Sequence, residues 1–143
     1  MPAKKPRTVI DTNVWVSVLL APRSVSAANR LADKIWSREF LALASTACFL
    51  EYEEVMRRPY LGLDDVLVNR FLDALAELMQ WHDPAPAPVL LRDAGDQKWL
   101  NLLHGSRADA LVTYNLRDFR PALERGYPVM PPAEALRVLA GTA

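Results

Sequence analysis

Four acidic residues stand out by type and placement. Asp11 directly follows the apolar run Thr8-Val9-Ile10, Glu51 shares a stretch with Glu53 and Glu54, Asp96 follows Asp93 by three residues, and Asp118 lies beyond a third apolar run ending at Thr113. Carboxylates this far apart in sequence can act together only if the fold gathers them. Gathered, they suit hard divalent cations, because Mg2+ and Mn2+ prefer oxygen ligands and keep several waters. Two such ions about 4 Å apart activate an attacking water and stabilise the departing oxygen in phosphodiester hydrolysis. Other chemistries are poorly supplied. The chain has no Walker loop, no G-x-G-x-x-G, no G-x-S-x-G and no H-E-x-x-H, and its two histidines, His82 and His104, lack ligand spacing.

The elements that must position these acids are legible as alternating strands and helices. Thr8 to Ile10 reads as a buried strand, followed by a short helix through Val14, Trp15, Val18 and Leu19. From Ser24 to Glu39, Ala28, Leu31, Ala32 and Ile35 recur at helical spacing opposite a polar face. Phe40 to Ala44 is a second buried strand, and Ser45 or Thr46 can cap the helix that carries Glu51 and ends at Pro59 and Gly62. Asp64 or Asp65 opens a helix running to about Trp81. Alternate prolines from Asp83 to Pro88 then favour an extended, stiff crossover. Asp96 to His104 is helical, Ala110 to Thr113 a third strand, Tyr127 to Met130 a weaker fourth, and Pro132 starts a terminal helix through Leu139.

Size and composition set the frame. At 143 residues, half of them hydrophobic and about a quarter charged, the chain fits one soluble domain spanning 1–143 with a real core. Seventeen basic residues balance seventeen acidic ones, so net charge offers no argument for nucleic-acid binding. Bound cations at an acidic site would restore local attraction for phosphate. The single cysteine, Cys48, cannot form an internal disulfide and fits a reducing, cytoplasmic setting. The basic start (Lys4, Lys5, Arg7) lacks the apolar core of a signal peptide, and no run is long enough to cross a membrane.

Alternating strands and helices give a mostly parallel sheet with both faces covered, and such sheets place their site at the carboxyl ends of the strands. Asp11 closes the first strand, Glu51 lies one to two turns into the helix after the second, Asp96 begins the helix entering the third, and Asp118 follows that strand. All four acids are therefore expected at one edge. Local roles compete with this reading. Asp11 suits a helix N-cap, Asp93 and Asp96 are both reasonable caps, Asp118 suits a turn, and any of Glu51, Glu53 and Glu54 could be a solvated helical charge. The tryptophans Trp15, Trp36, Trp81 and Trp99 sit among apolar positions and read as core or subunit contacts. Arg57, Arg58, Arg117 and Arg120 are candidates for contacting nucleic-acid phosphates, with solvated surface as the rival role.

Four blocks resemble a known family. Val9-Ile10-Asp11-Thr12-Asn13-Val14 is similar to the opening of PIN domains, Ser45 to Pro59 (STACFLEYEEVMRRP) to the stretch with their second acid, Arg92 to Leu100 to their third block, and Ala108 to Phe119 (ADALVTYNLRDF) to their fourth. The blocks occur in order over nearly the whole chain and are most similar to VapC-type toxins of bacterial toxin-antitoxin pairs. That resemblance implies a three-layer α/β/α fold with a mostly parallel sheet, Mg2+- or Mn2+-dependent cleavage of RNA, and control by an antitoxin protein. It favours Asp11, Glu51 and Asp96 as the first three acids. Many relatives have an aspartate where Asn115 stands; others have asparagine there followed by Asp-Phe, which makes Asp118 the fourth acid. Thr12, Asn13, Ser45, Thr113 and Asn115 are then candidates for supporting the carboxylates or the substrate.

Two rival classes follow. Asn115 fits a PIN-like binding module with weakened catalysis that acts through RNA or antitoxin contacts. A structure-specific DNA nuclease of the flap-endonuclease type is the other, although the chain lacks the length of an arch or duplex-binding insert. The apolar helices from Ser24 to Glu39 and Asp64 to Trp81 point to a homodimer hiding Trp36 or Phe71.

Overall fold

The computed structural model describes residues 4–140; the extreme ends of the expected 1–143 domain lie outside them. Its strands are β1 (Arg7–Ile10), β2 (Leu41–Ala44), β3 (Gln80–Trp81), β4 (Ala110–Val112) and β5 (Val129–Met130). They form one all-parallel sheet in the order β3-β2-β1-β4-β5. The helices are α1 (Thr12–Leu20), α2 (Ala27–Trp36), α3 (Thr46–Met56), α4 (Asp65–Leu78), α5 (Gln97–Ser106), α6 (Arg120–Glu124) and α7 (Pro132–Ala140). They flank the sheet in a three-layer α/β/α arrangement, with α2 packed on α1 and α7, and α3 on α1, α4 and α5.

Caps fix where the long helices begin. Ser26 opens α2, Ser45 opens α3 by accepting from the Cys48 amide at 3.3 Å, and Asp64 opens α4 by accepting from Val66 at 2.7 Å and Leu67 at 3.2 Å. Each satisfies amides that the first helical turn leaves unpaired. The central strands are buried through Val9, Ile10, Leu43, Leu111 and Val112, and Trp15, Tyr52, Trp99 and Phe119 fill the space between sheet and helices. Of the four tryptophans, Trp15 and Trp99 are core, while Trp36 and Trp81 remain partly exposed.

The structure corrects the expected helix to Trp81. Met79 is extended and ends α4, after which Gln80 and Trp81 pair with Leu43 and Ala44 as β3. Two residues carry no periodicity, so nothing in the pattern separates this strand from the helix before it. As an edge strand it is short, which limits its use as a template for further pairing. The proline-rich crossover lies against α5. Ala85 donates to the Asn101 carbonyl at 3.1 Å, Ala87 to the Asn101 side chain at 3.0 Å, and Leu91 to the Gln97 side chain at 2.9 Å. Gly105 permits the contact, since a Cβ there would meet the Ala85 nitrogen at 2.6 Å.

Candidate active site

The sheet grows from β1 through β2 to β3 on one side and from β4 to β5 on the other. This reversal leaves a crevice outside the carboxyl ends of β1 and β4, the usual place for a ligand in an open parallel sheet. Asp11 follows β1 and Thr113 follows β4. The Asp11 amide continues the ladder by donating to the Val112 carbonyl at 2.9 Å, which sets the two residues side by side. The Thr113 hydroxyl donates to Asp11 Oδ2 at 2.7 Å, and Asn13 Nδ2 lies 3.4 Å from the same oxygen. Asn13 is itself fixed, accepting from the Tyr114 amide at 3.2 Å. Asp11 holds the N-cap position of α1 yet makes no side-chain cap bond. Its carboxylate is held in the crevice by Thr113 and Asn13, with the Thr12 backbone at the start of α1 also favouring its charge.

Helix α3 brings Glu51 to the same place. The Thr12 hydroxyl donates to Glu51 Oε2, and the Lys98 ammonium stands 2.9 Å from Glu51 Oε1. Tyr52 donates its hydroxyl to the Ile10 carbonyl and packs its ring against Trp99 at 5.5 Å, tying α3 to the residue before Asp11. At the start of α5, Asp93 and Asp96 divide their roles. Asp93 accepts from the Gly95 amide at 2.8 Å, whereas Asp96 makes no cap bond. Asp96 Oδ2 is buried without a hydrogen-bond partner among the described residues.

Asp11, Glu51, Asp96 and Asn115 line one open cleft of about 330 Å3, together with Arg58 and Tyr60. Asp118 does not line it. That residue accepts a hydrogen bond from the Asn115 amide and lines a neighbouring cleft. Ser45 also stands apart, serving as the α3 cap beside a separate cavity that includes Trp81 and His82. Lys98, Tyr52 and Tyr60 are not among the residues the sequence singles out. The one available signal concerns Lys98, because an acid cluster needs a nearby cation and Lys98 follows Asp96 by two positions.

Burial pushes Asp11 up to about 6 from 3.8, with Glu51 and Asp96 adding repulsion and the Thr113 bond opposing the rise. Burial also raises Asp96 to about 6, assisted by Asp93, Asp118 and Glu51 and opposed by Lys98. Two acids with raised values facing each other form an electrostatically unfavourable arrangement, of the kind found at functional sites. A divalent cation would relieve it. The donor set is all oxygen, and Asp96 offers an oxygen with no other partner, so the residues fit Mg2+ or Mn2+. Among the described residues no three His, Cys, Asp or Glu side chains already stand in a ligating group. Glu51 is held by Lys98 and Thr12.

Residues 7–117, well over half of the chain, match the family model described as PIN domain. The chain belongs to the PIN domain family. PIN domains are generally nucleases and typically use divalent metal ions, so this is a nuclease fold. The match covers Asp11, Glu51, Asp96 and Asn115 and stops one residue before Asp118. No curated protein sequence matches the chain at a significant level. Among the described residues no helix is long and apolar enough to cross a membrane.

Proposed function

We propose that this PIN domain protein is a Mg2+- or Mn2+-dependent endoribonuclease, the toxin of a toxin-antitoxin pair, acting in the cytoplasm as a single domain over 1–143 and restrained by an antitoxin protein. The observation that carries the nuclease assignment is the convergence of Asp11, Glu51 and Asp96, from three distant segments, on one cleft at the reversal point of the sheet. These three acids would hold the metal, with Asn115 contributing a neutral amide and Asp118 orienting that amide from behind. A divalent ion bound there supplies charge neutralisation for a phosphodiester and lowers the pKa of an attacking water. Thr113 and Asn13 hold Asp11 in one orientation, and Thr12 does the same for Glu51. Tyr52 anchors the Ile10 carbonyl and so fixes the backbone from which Asp11 projects. Lys98 compensates the acidic charge through Glu51.

A second reading has support from Asn115, which lines the cleft where an acid would strengthen cation binding. On that reading the protein is a weakened nuclease that binds RNA or antitoxin without efficient cleavage. Cleavage of RNA and DNA substrates, followed across a Mn2+ titration, separates the alternatives. The enzyme reading expects the parent to cut RNA and Asp11→Asn to abolish cutting. A folded parent inactive at every Mn2+ concentration, and active only after Asn115→Asp, establishes the binding module instead. Preferential cutting of branched DNA assigns the structure-specific DNA nuclease.

A further inference from the structure

The carboxylate cleft adjoins a second cleft of about 350 Å3, lined by Arg92, Arg117, Asp118, Arg120, Pro121 and Glu124. The two meet at a hydrogen bond, since Asn115 lines the first, Asp118 lines the second, and the Asn115 amide donates to the Asp118 carboxylate. The chain as a whole is neutral, so three guanidinium groups around one depression are a local concentration of positive charge. Asp118 and Glu124 offset two of the three charges, Glu124 through its pair with Arg120, which leaves a net positive charge carried by Arg92 and Arg117.

The arginines of this region differ in their commitments. Arg57 is paired with Glu53 at 3.5 Å and donates to Asn69 at 2.6 Å, while Arg58 is paired with Glu54 at 3.2 Å. Arg120 is 3.4 Å from Glu124. Arg92 and Arg117, both exposed, have no side-chain hydrogen bond or ion pair among the described residues. They are also held close to the acids by the same segments. Arg92 immediately precedes the Asp93 to Asp96 turn, and Arg117 lies two residues after Asn115. A guanidinium is always charged and presents a planar fork of donors that matches phosphate oxygens, which makes two uncommitted arginines in a cleft a fit for a phosphodiester backbone.

We infer that this second cleft is a phosphate subsite that grips the nucleic-acid strand beside the scissile linkage, with Arg92 and Arg117 as the contacting groups. The inference rests on the ribonuclease reading and adds where the strand runs. Contacts of this kind set register on the backbone and carry no base preference.

The test uses the full chain carrying Asp11→Asn, so that RNA is bound but not cut, and measures fluorescence anisotropy of a labelled RNA oligonucleotide in EDTA over a range of salt concentrations. Adding Arg92→Ala and Arg117→Ala should weaken binding about tenfold or more. The slope of log affinity against log salt should become shallower by about 1.4, the value for two lost contacts to a single strand. Arg30→Ala, exposed on α2 and lining neither cleft, should change neither quantity. Inorganic phosphate, titrated in parallel, should bind much more weakly than the oligonucleotide; comparable affinity would assign the cleft to a free anion and overturn the strand subsite. A parent chain that cleaves RNA, alongside a double variant with unchanged affinity and slope, overturns the subsite and leaves the ribonuclease reading standing. A parent that neither cleaves nor binds RNA overturns both.

Discussion

Replacing Asp11 by asparagine should make the metal-free protein more stable, and by an amount that depends on pH. The Asp11 carboxyl is buried and titrates at about 6 in the fold, against 3.8 as its ordinary value. A carboxyl whose folded value is raised binds its proton more tightly in the folded chain. Its contribution to stability is therefore fully present below pH 3.8 and lost as pH rises through about 6. A rise of about 2 units at 1.36 kcal/mol each amounts to roughly 3 kcal/mol. Asparagine carries no charge to desolvate, and its carbonyl oxygen can still accept from Thr113, which now donates to Asp11 Oδ2. Most of that amount, roughly 2.4 kcal/mol, should therefore appear as growth in the stability difference, variant minus parent, between pH 4 and pH 7.

Urea denaturation in EDTA at several pH values measures that difference directly, and using the difference cancels the titration of unrelated surface groups. The same experiment in saturating Mn2+ should nearly close the gap at pH 7. An ion that binds only the folded parent at a hundred times its dissociation constant adds about 2.7 kcal/mol, and the variant should lose most of this gain. The reasoning fails if the stability difference is flat between pH 4 and pH 7, or if the variant is the less stable protein at pH 7 without metal. Either result would mean that Asp11 is stabilised as an anion by its neighbours and is not a strained ligand awaiting a cation.

Thr113→Val removes the hydrogen bond that opposes the rise in Asp11, so the carboxyl should titrate still higher and the acid limb of the cleavage profile should move to higher pH; an unmoved limb in a pH-rate series would refute the link. Lys98→Met frees Glu51 from its ion pair, and because a partly exposed pair is worth about 1 kcal/mol, Mn2+ affinity by calorimetry should rise about fivefold. Weaker binding would show that Lys98 holds Glu51 in a ligating position instead. For assembly, the Trp36 ring packs on Trp15 at 6.2 Å and on Phe71 at 5.8 Å while remaining 37 % exposed, so a homodimer through α2 and α4 should be disrupted by Trp36→Gln. Light scattering that finds the parent monomeric at micromolar concentration rules out that contact.

The fold was legible wherever several apolar residues repeat with one period, as in Val9-Ile10 of β1, Ala110 to Val112 of β4 and the amphipathic α2. It was illegible at β3, because Gln80 and Trp81 are a strand only through pairing with Leu43 and Ala44, a tertiary fact with no local pattern. The site divides in the same way. Asp11 and Asp96 could be nominated because each ends or begins an element, but sequence leaves their helix-capping role open. The hydrogen bonds decide it: Asp93 takes the amide of Gly95, Thr113 takes the carboxylate of Asp11, and Asp96 keeps an oxygen without a partner. Asn115 and Asp118 were rivals for one position, and they stand side by side, joined by a hydrogen bond, with Asn115 lining the carboxylate cleft and the Asp118 charge adding to the rise of Asp96. Lys98 carried only the signal of its place two residues after Asp96, and its pairing was illegible because its partner lies on α3 and only the packing of α3 against α5 brings the two together. An acid cluster at the reversal point of a parallel sheet must be neutralised by something. Here one acid leans on a lysine and two have raised proton affinity, so a cation entering the cleft competes with one ammonium and with the protons on two carboxyls. Cation affinity should therefore depend on pH through Asp11 and Asp96 together, more steeply than a single carboxyl would make it.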